Sequence, residues 1–158
     1  MIKLVILDID GCLSDGKIIY SPNADLIKEF NVKDGAAILK AKELGIKFAI
    51  ITGRSSEVVL NRARDLGIEY VYCGIKDKLS CAKTLLKDLN ITFDEVAAIG
   101  DYYNDLDLLK SVKLPFIPKD GAKIFGRILN TKGGYGCVHE MLEIIVKENN
   151  QLKQWIKC

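Results

Sequence analysis

Short apolar runs of strand character alternate along this chain with segments of helical periodicity, a pattern that points to a parallel sheet covered by helices. Leu4–Leu7 reads as a buried first strand. Gly35 to Leu44 has helical composition and stops at Gly45, a glycine suited to a helix C-terminus, before the strand Phe48–Ile51. The unit then repeats. A helix from about Ser56 to Leu66 ends at Gly67, and the short strand Tyr70–Tyr72 follows. Leu79, Ala82, Leu86 and Leu89 recur at helical spacing. Val96–Ile99 reads as the next strand, Asn104–Val112 as the next helix and Leu114–Ile117 as a last strand before Pro118. Val138, Met141, Leu142, Ile145 and Val146 form an apolar helical stripe that belongs in a core.

The length of 158 residues and a hydrophobic fraction of 49% suit one compact domain, residues 1–158. With 23 basic and 21 acidic residues there is no long single-sign run, so no nucleic-acid partner is expected. No apolar stretch reaches the ~20 residues that span a bilayer, and Met1-Ile2-Lys3 leads straight into strand-like sequence. The expected location is cytoplasmic, with no membrane partner. Cys12, Cys73, Cys81, Cys137 and Cys158 are widely spaced without a C-x-x-C pair, which indicates reduced, packed thiols rather than disulfides or zinc. With His139 the single histidine, catalysis falls to carboxylates and lysines. One segment breaks the alternation: Gly16 to Phe30 holds Lys17–Tyr20, a turn cluster Ser21-Pro22-Asn23-Ala24-Asp25, and Leu26–Phe30. It reads as a β-hairpin too small to be a capping domain.

In open α/β sheets ligands bind beyond the carboxyl ends of the strands. Here the predicted first strand runs into Asp8-Ile9-Asp10-Gly11, the second into Thr52-Gly53-Arg54, and the fourth into Gly100-Asp101 with Asn104 and Asp105 close behind. Asp8 and Asp10, two apart on an extended chain, share a face. Carboxylates gathered in this way need a cation among them, and a small all-oxygen ligand set suits Mg²⁺. A calcium loop is disfavoured, because its fifth position would be Cys12 and a strand precedes it.

With these motifs in view the chain resembles the haloacid dehalogenase phosphatases, and within them the capless 3-deoxy-D-manno-octulosonate 8-phosphate phosphatase family. The matching segments are Leu7 through Lys17, Phe30-Asn31-Val32-Lys33-Asp34-Gly35, Ile51 through Ser56, Lys76-Asp77-Lys78, Gly100-Asp101 with Asn104-Asp105, and Gly133-Gly134-Tyr135-Gly136. The fold expected is α/β: a Rossmann-like parallel sheet flanked by helices, with a small β-hairpin flap and no large cap domain. The resemblance implies Mg²⁺-dependent phosphomonoester hydrolysis with Asp8 as nucleophile and Asp10 as acid and base. It implies Thr52 and Lys78 on the phosphoryl oxygens, and Mg²⁺ on Asp8, Asp101 and the Asp10 carbonyl. Asp105 would support the metal shell, and Arg54 would contact an anionic group of the substrate. The implied substrate is a phosphorylated sugar acid, and the implied assembly is a homotetramer in which hairpins bearing Ile18, Ile19 and Tyr20 cover neighbouring sites. Two positions depart from the family pattern: Tyr102 stands where an aspartate is usual, and His139 where an arginine is usual. Metal binding should survive the first departure; the second bears on octulosonate specificity. A nine-carbon N-acylneuraminate or deoxynonulosonate 9-phosphate is the alternative substrate. A phospho-receiver domain is disfavoured because Lys78 and Thr52 both precede Asp101, and an idle interaction module because every expected catalytic position is filled.

Overall fold

The computed structural model describes residues 1–22 and 26–157, with the backbone alone for Leu26. The turn residues Asn23, Ala24 and Asp25 of the expected hairpin lie outside the described residues. The strands are β1 (Leu4–Leu7), β2 (Ile19–Tyr20), β3 (Leu26–Ile27), β4 (Lys47–Ile51), β5 (Tyr70–Tyr72), β6 (Val96–Ile99), β7 (Leu114–Ile117) and β8 (Arg127–Ile128). The helices are α1 (Val32–Glu43), α2 (Glu57–Asp65), α3 (Lys78–Leu89), α4 (Leu106–Ser111), α5 (Cys137–Glu148) and α6 (Leu152–Trp155). A six-stranded sheet runs in the order β5-β4-β1-β6-β7-β8, and all its pairings are parallel. β2 and β3 form the separate antiparallel hairpin, with Ile19 opposite Ile27.

Alternation of side chains divides the core between the two faces of this sheet. Val5, Leu7, Phe48, Ile50, Ala97 and Ile99 pack with α1, α2 and α5. Leu4, Ile6, Ala49, Ile51, Val96 and Ala98 pack with α3 and α4 on the other side. The apolar stripe expected near the end of the chain is realised on α5, since Val138, Met141, Leu142, Ile145 and Val146 are all fully buried. Leu7 is in register with Ile50 and with Ile99, so β1 and β6 end level and β4 runs one residue further. That alignment brings the polar residues after each strand to one edge. No helix among the described residues is long and apolar enough to cross a membrane.

Several boundaries differ from expectation for local reasons. β7 is not the last strand: β8 pairs beyond it, Phe116 with Arg127 and Ile117 with Ile128. Gly126 permits that approach, because a Cβ there would lie 3.2 Å from the Pro115 carbonyl oxygen and from Ile117. α1 begins at Val32 rather than Gly35, since the Asn31 side chain accepts the Lys33 N–H at 2.9 Å and caps the helix. The expected helix from Asn104 opens as a tight turn, Tyr103–Asp105, before α4. α6, which carries no strong periodicity, is anchored by the buried Trp155; its ring stacks on His139 at 6.5 Å and lies 5.7 Å beneath the Lys40 ammonium.

Candidate active site

Past Leu7 the backbone enters a wide turn, Ile9–Leu13, in which Gly11 takes a left-handed φ of 83°. Glycine is required there twice over, because a Cβ would also stand 2.0 Å from Asp101 Oδ2. Asp8 and Asp10 emerge on the same side, while Ile9 is buried in the core. Thr52 follows β4, its backbone N–H donating to the Tyr72 carbonyl at 2.9 Å and its carbonyl accepting from Ile75 at 3.0 Å. Asp101 follows β6. Asp8, Asp10, Gly16, Thr52, Gly53, Arg54, Asp101 and Asn104 line one cavity of about 220 Å³.

Behind this cavity Lys78, at the start of α3, is buried between two acids. Its Nζ lies 2.9 Å from Asp8 Oδ1 and 2.6 Å from Asp105 Oδ1. The other oxygen of Asp105 accepts the backbone N–H groups of Asp101 and Tyr102, at 3.1 and 3.3 Å. One carboxylate thus holds both the lysine and the loop that carries Asp101. Tyr102 contributes its backbone here and turns an exposed ring towards Tyr103, so an aspartate is not needed at that position for the contact. Asp10 is flanked by two cations: the ammonium of Lys28 bonds to its Oδ1, and Arg54 Nε stands 3.8 Å from its Oδ2.

The electrostatics indicate a shortage of positive charge. Burial pushes the Asp8 carboxyl up to about 7 against the pull of Lys78, with Asp105 adding to the rise. Asp101 rises to about 6, again by burial first and then by Asp105. Burial also works against the Lys78 charge, yet Asp8 and Asp105 outweigh it and hold the ammonium above its ordinary value. A protonated lysine beside more carboxylates than it can neutralise is a fitting place for a divalent cation. Ligand atoms of Asp8, Cys12 and Asp101 all lie within 4.8 Å of one another. Burial, with Asp8 and Asp101 nearby, pushes the Cys12 thiol well up, so it is neutral and leaves a hard cation to the oxygens.

The sequence segments expected at this edge therefore meet: Asp8, Asp10, Thr52, Arg54, Lys78, Asp101 and Asp105 are within one assembly. His139 is not part of it. Its backbone N–H donates to Asp34 Oδ1 at 2.8 Å and its ring packs on Trp155, so this departure sits on the α1–α5 face. Lys28 is the residue that sequence reasoning missed, although it falls inside the hairpin.

The glycine-rich segment closes the site from below. Gly134 N–H donates to the Cys12 carbonyl at 2.9 Å, and Cys137 Sγ reaches the same oxygen at 3.2 Å. A Cβ on Gly133 would sit 1.8 Å from the Gly11 carbonyl oxygen, backbone against backbone. Gly133→Ala should therefore displace the turn that carries Asp10. We expect a fall in Tm of roughly 3–10 °C, from an overpacking cost of about 1–3 kcal/mol, and a kcat reduced about 10-fold or more. Thermal melts and steady-state kinetics would check both; an unchanged kcat would show that the contact does not hold the turn.

Comparison with known proteins follows the same lines. Residues 26–113 match the model of the haloacid dehalogenase-like hydrolases. The 3-deoxy-D-manno-octulosonate 8-phosphate phosphatase of Haemophilus influenzae is 34% identical over 151 residues, 92% of this chain and 83% of that protein. The chain belongs to the haloacid dehalogenase-like hydrolases. The Escherichia coli K12 phosphatase of the same name is 35% identical to this hydrolase over 157 residues, 97% of this chain and 84% of the relative. Among solved structures, the Moraxella catarrhalis 3-deoxy-D-manno-octulosonate 8-phosphate phosphatase superposes with a TM-score of 0.94 at 38% identity, covering 98% of this chain and 91% of its own. That structure is a complex with magnesium ion, phosphate ion and the octulosonate.

Proposed function

We propose that this hydrolase is a single-domain, Mg²⁺-dependent phosphatase that releases phosphate from 3-deoxy-D-manno-octulosonate 8-phosphate. The observation that carries the reading is Asp8, a buried carboxylate held by Lys78 and facing a cavity shared with Asp10, Thr52 and Asp101. Arg54, half exposed at the same cavity, suits an anionic group on the substrate. Its likeness over most of its length to octulosonate 8-phosphate phosphatases supports the choice of sugar acid.

Asp8 attacks phosphorus and the bond to the leaving oxygen breaks, that oxygen taking the proton of Asp10. A water then gives its proton to Asp10 and attacks phosphorus, freeing phosphate and restoring the Asp8 carboxylate. Thr52 donates its hydroxyl to the phosphoryl oxygens. Lys78 steadies Asp8 and adds charge where those oxygens lie. The Asp8 and Asp101 carboxylates and the Asp10 carbonyl would hold Mg²⁺, which supplies charge neutralisation for the phosphoryl group. Asp105 supports this set indirectly, through Lys78 and the Asp101 backbone.

Activity is expected to vanish in a chelator of divalent cations and to return with added Mg²⁺. Comparing kcat/KM across eight- and nine-carbon keto-acid phosphates tests the substrate, since that ratio measures discrimination in the transition state. Preference for the octulosonate ester by at least about 10-fold is expected; preference for a 9-phosphate would reassign the substrate, and full activity without metal would end the Mg²⁺ reading.

The hairpin is the part of this reading that calls for a second copy of the chain. Ile19, Tyr20 and Ile27 are exposed on it, and Ile18 is half buried, an apolar surface suited to an interface. The expected assembly is a homotetramer in which each hairpin helps to cover a neighbouring cavity. Light scattering at micromolar concentration should show it, and deletion of residues 18–26 should give smaller particles with weakened turnover. A fully active wild-type monomer would reject the assembly. A cytoplasmic location is consistent with the free thiols at Cys12, Cys73, Cys81 and Cys137.

A further inference from the structure

Lys28 stands out as a buried cation with no part in the mechanism above. It follows β3 directly, and its neighbours Ile27 and Glu29 are both exposed, so extended alternation turns Lys28 inward. The side chain is 1% exposed, whereas a lysine on a two-stranded hairpin could have reached solvent freely. Burying an ammonium is unfavourable unless it is paired, and the pair here is with Asp10 Oδ1. Arg54 approaches the other oxygen, Oδ2, but at 3.8 Å it is beyond hydrogen-bond reach and about half its side chain is in solvent.

We propose that Lys28 is a positioning residue: it anchors Asp10 Oδ1 so that Oδ2, on the Arg54 side, is the oxygen that exchanges protons with the reacting groups. The inference rests on the phosphatase reading and adds a task for the hairpin within its own subunit. In the first half-reaction the proton leaves Asp10 Oδ2 for the leaving oxygen as that oxygen parts from phosphorus and the bond from Asp8 forms. A carboxyl free to turn about its side-chain bonds would spend little time aligned for this transfer, and misplacement by about 1 Å can cost on the order of 100-fold. The anchor explains why a capless enzyme places a buried lysine in so small a flap.

The test is Lys28→Met, a chain of similar length without donor or charge, assayed with Mg²⁺ on a sugar-acid phosphate and on p-nitrophenyl phosphate. kcat/KM covers only the steps through departure of the leaving group, and p-nitrophenolate departs without a proton. The variant should lose about 10- to 100-fold in kcat/KM on the sugar-acid phosphate, mainly in kcat, and less than about 3-fold on the aryl ester. In the Asp10→Asn background, at high enzyme concentration, the same change should bring almost no further loss. Lys28→Arg, which keeps donor and charge, should retain more activity than Lys28→Gln; that comparison carries the test if Lys28→Met does not fold. Equal losses on both esters, a rise in KM alone, or additive losses with Asp10→Asn would overturn the proposal. Wild-type protein that hydrolysed neither ester would defeat the phosphatase reading itself, a result distinct from all of these.

Discussion

Asp8→Asn is expected to abolish turnover, by at least about 10⁴-fold in kcat, while leaving the protein folded. The amide is nearly the size of the carboxylate but is a far poorer nucleophile and metal ligand. Its effect on stability should run the other way. The Asp8 carboxyl is raised from 3.8 to about 7, chiefly by burial, so the folded state binds this proton more tightly than the unfolded chain does. The resulting contribution to stability is complete below pH 3.8 and is lost as pH rises through 7. At pH 8 without metal the wild type therefore carries an unfavourable buried charge that the variant lacks. The Tm of Asp8→Asn should equal or exceed that of the wild type at pH 8, and its advantage should shrink towards pH 5. Turnover above about 1% of wild type would exclude Asp8 as the nucleophile.

Lys78→Met should be the most damaging substitution for stability. It removes the ammonium from between Asp8 and Asp105 and leaves two buried acids facing each other without a cation. Breaking a buried pair in this way costs about 3–5 kcal/mol, or roughly 10 °C in Tm for a chain of this size. Lost support for the nucleophile and for the phosphoryl oxygens should lower kcat by about 100-fold or more. Because Lys78 holds the Asp8 carboxyl down, its removal raises that group further. The gap in Tm between wild type and variant should accordingly narrow as pH is lowered from 8 to 6. A variant that melts with the wild type and loses less than 10-fold in kcat would mean that the site tolerates its acids unaided.

The residues that meet at the cavity were legible because the parallel sheet converts sequence into place. Once Leu4–Leu7, Phe48–Ile51 and Val96–Ile99 are read as neighbouring strands, Asp8, Thr52 and Asp101 must appear at one edge. Lys28 was not legible for the opposite reason. Its role depends on which way a two-residue strand faces, and nothing in Leu26–Phe30 separates a lysine aimed at Asp10 from one in solvent. β8 escaped detection because Arg127 and Ile128 are both exposed and carry no buried alternation; their pairing comes from the edge of β7. Asn31 moved the start of α1 through a side-chain cap, a choice made by one hydrogen bond rather than by periodicity.

The packing of Gly133 and Gly134 on Gly11 and Cys12 also sets an order of events as the chain folds. The turn bearing Asp10 is made near the start of the sequence, but the backbone that locks it arrives more than a hundred residues later, with Cys137 bonding across 125 positions. Contacts so distant in sequence close slowly, because a long loop must be ordered before they form. Catalytic competence should thus lag behind formation of the β1–β4–β6 sheet in refolding. A nascent chain halted before Gly133 would lack both this lock on the turn and the α5 stripe that fills one face of the sheet, and should be idle.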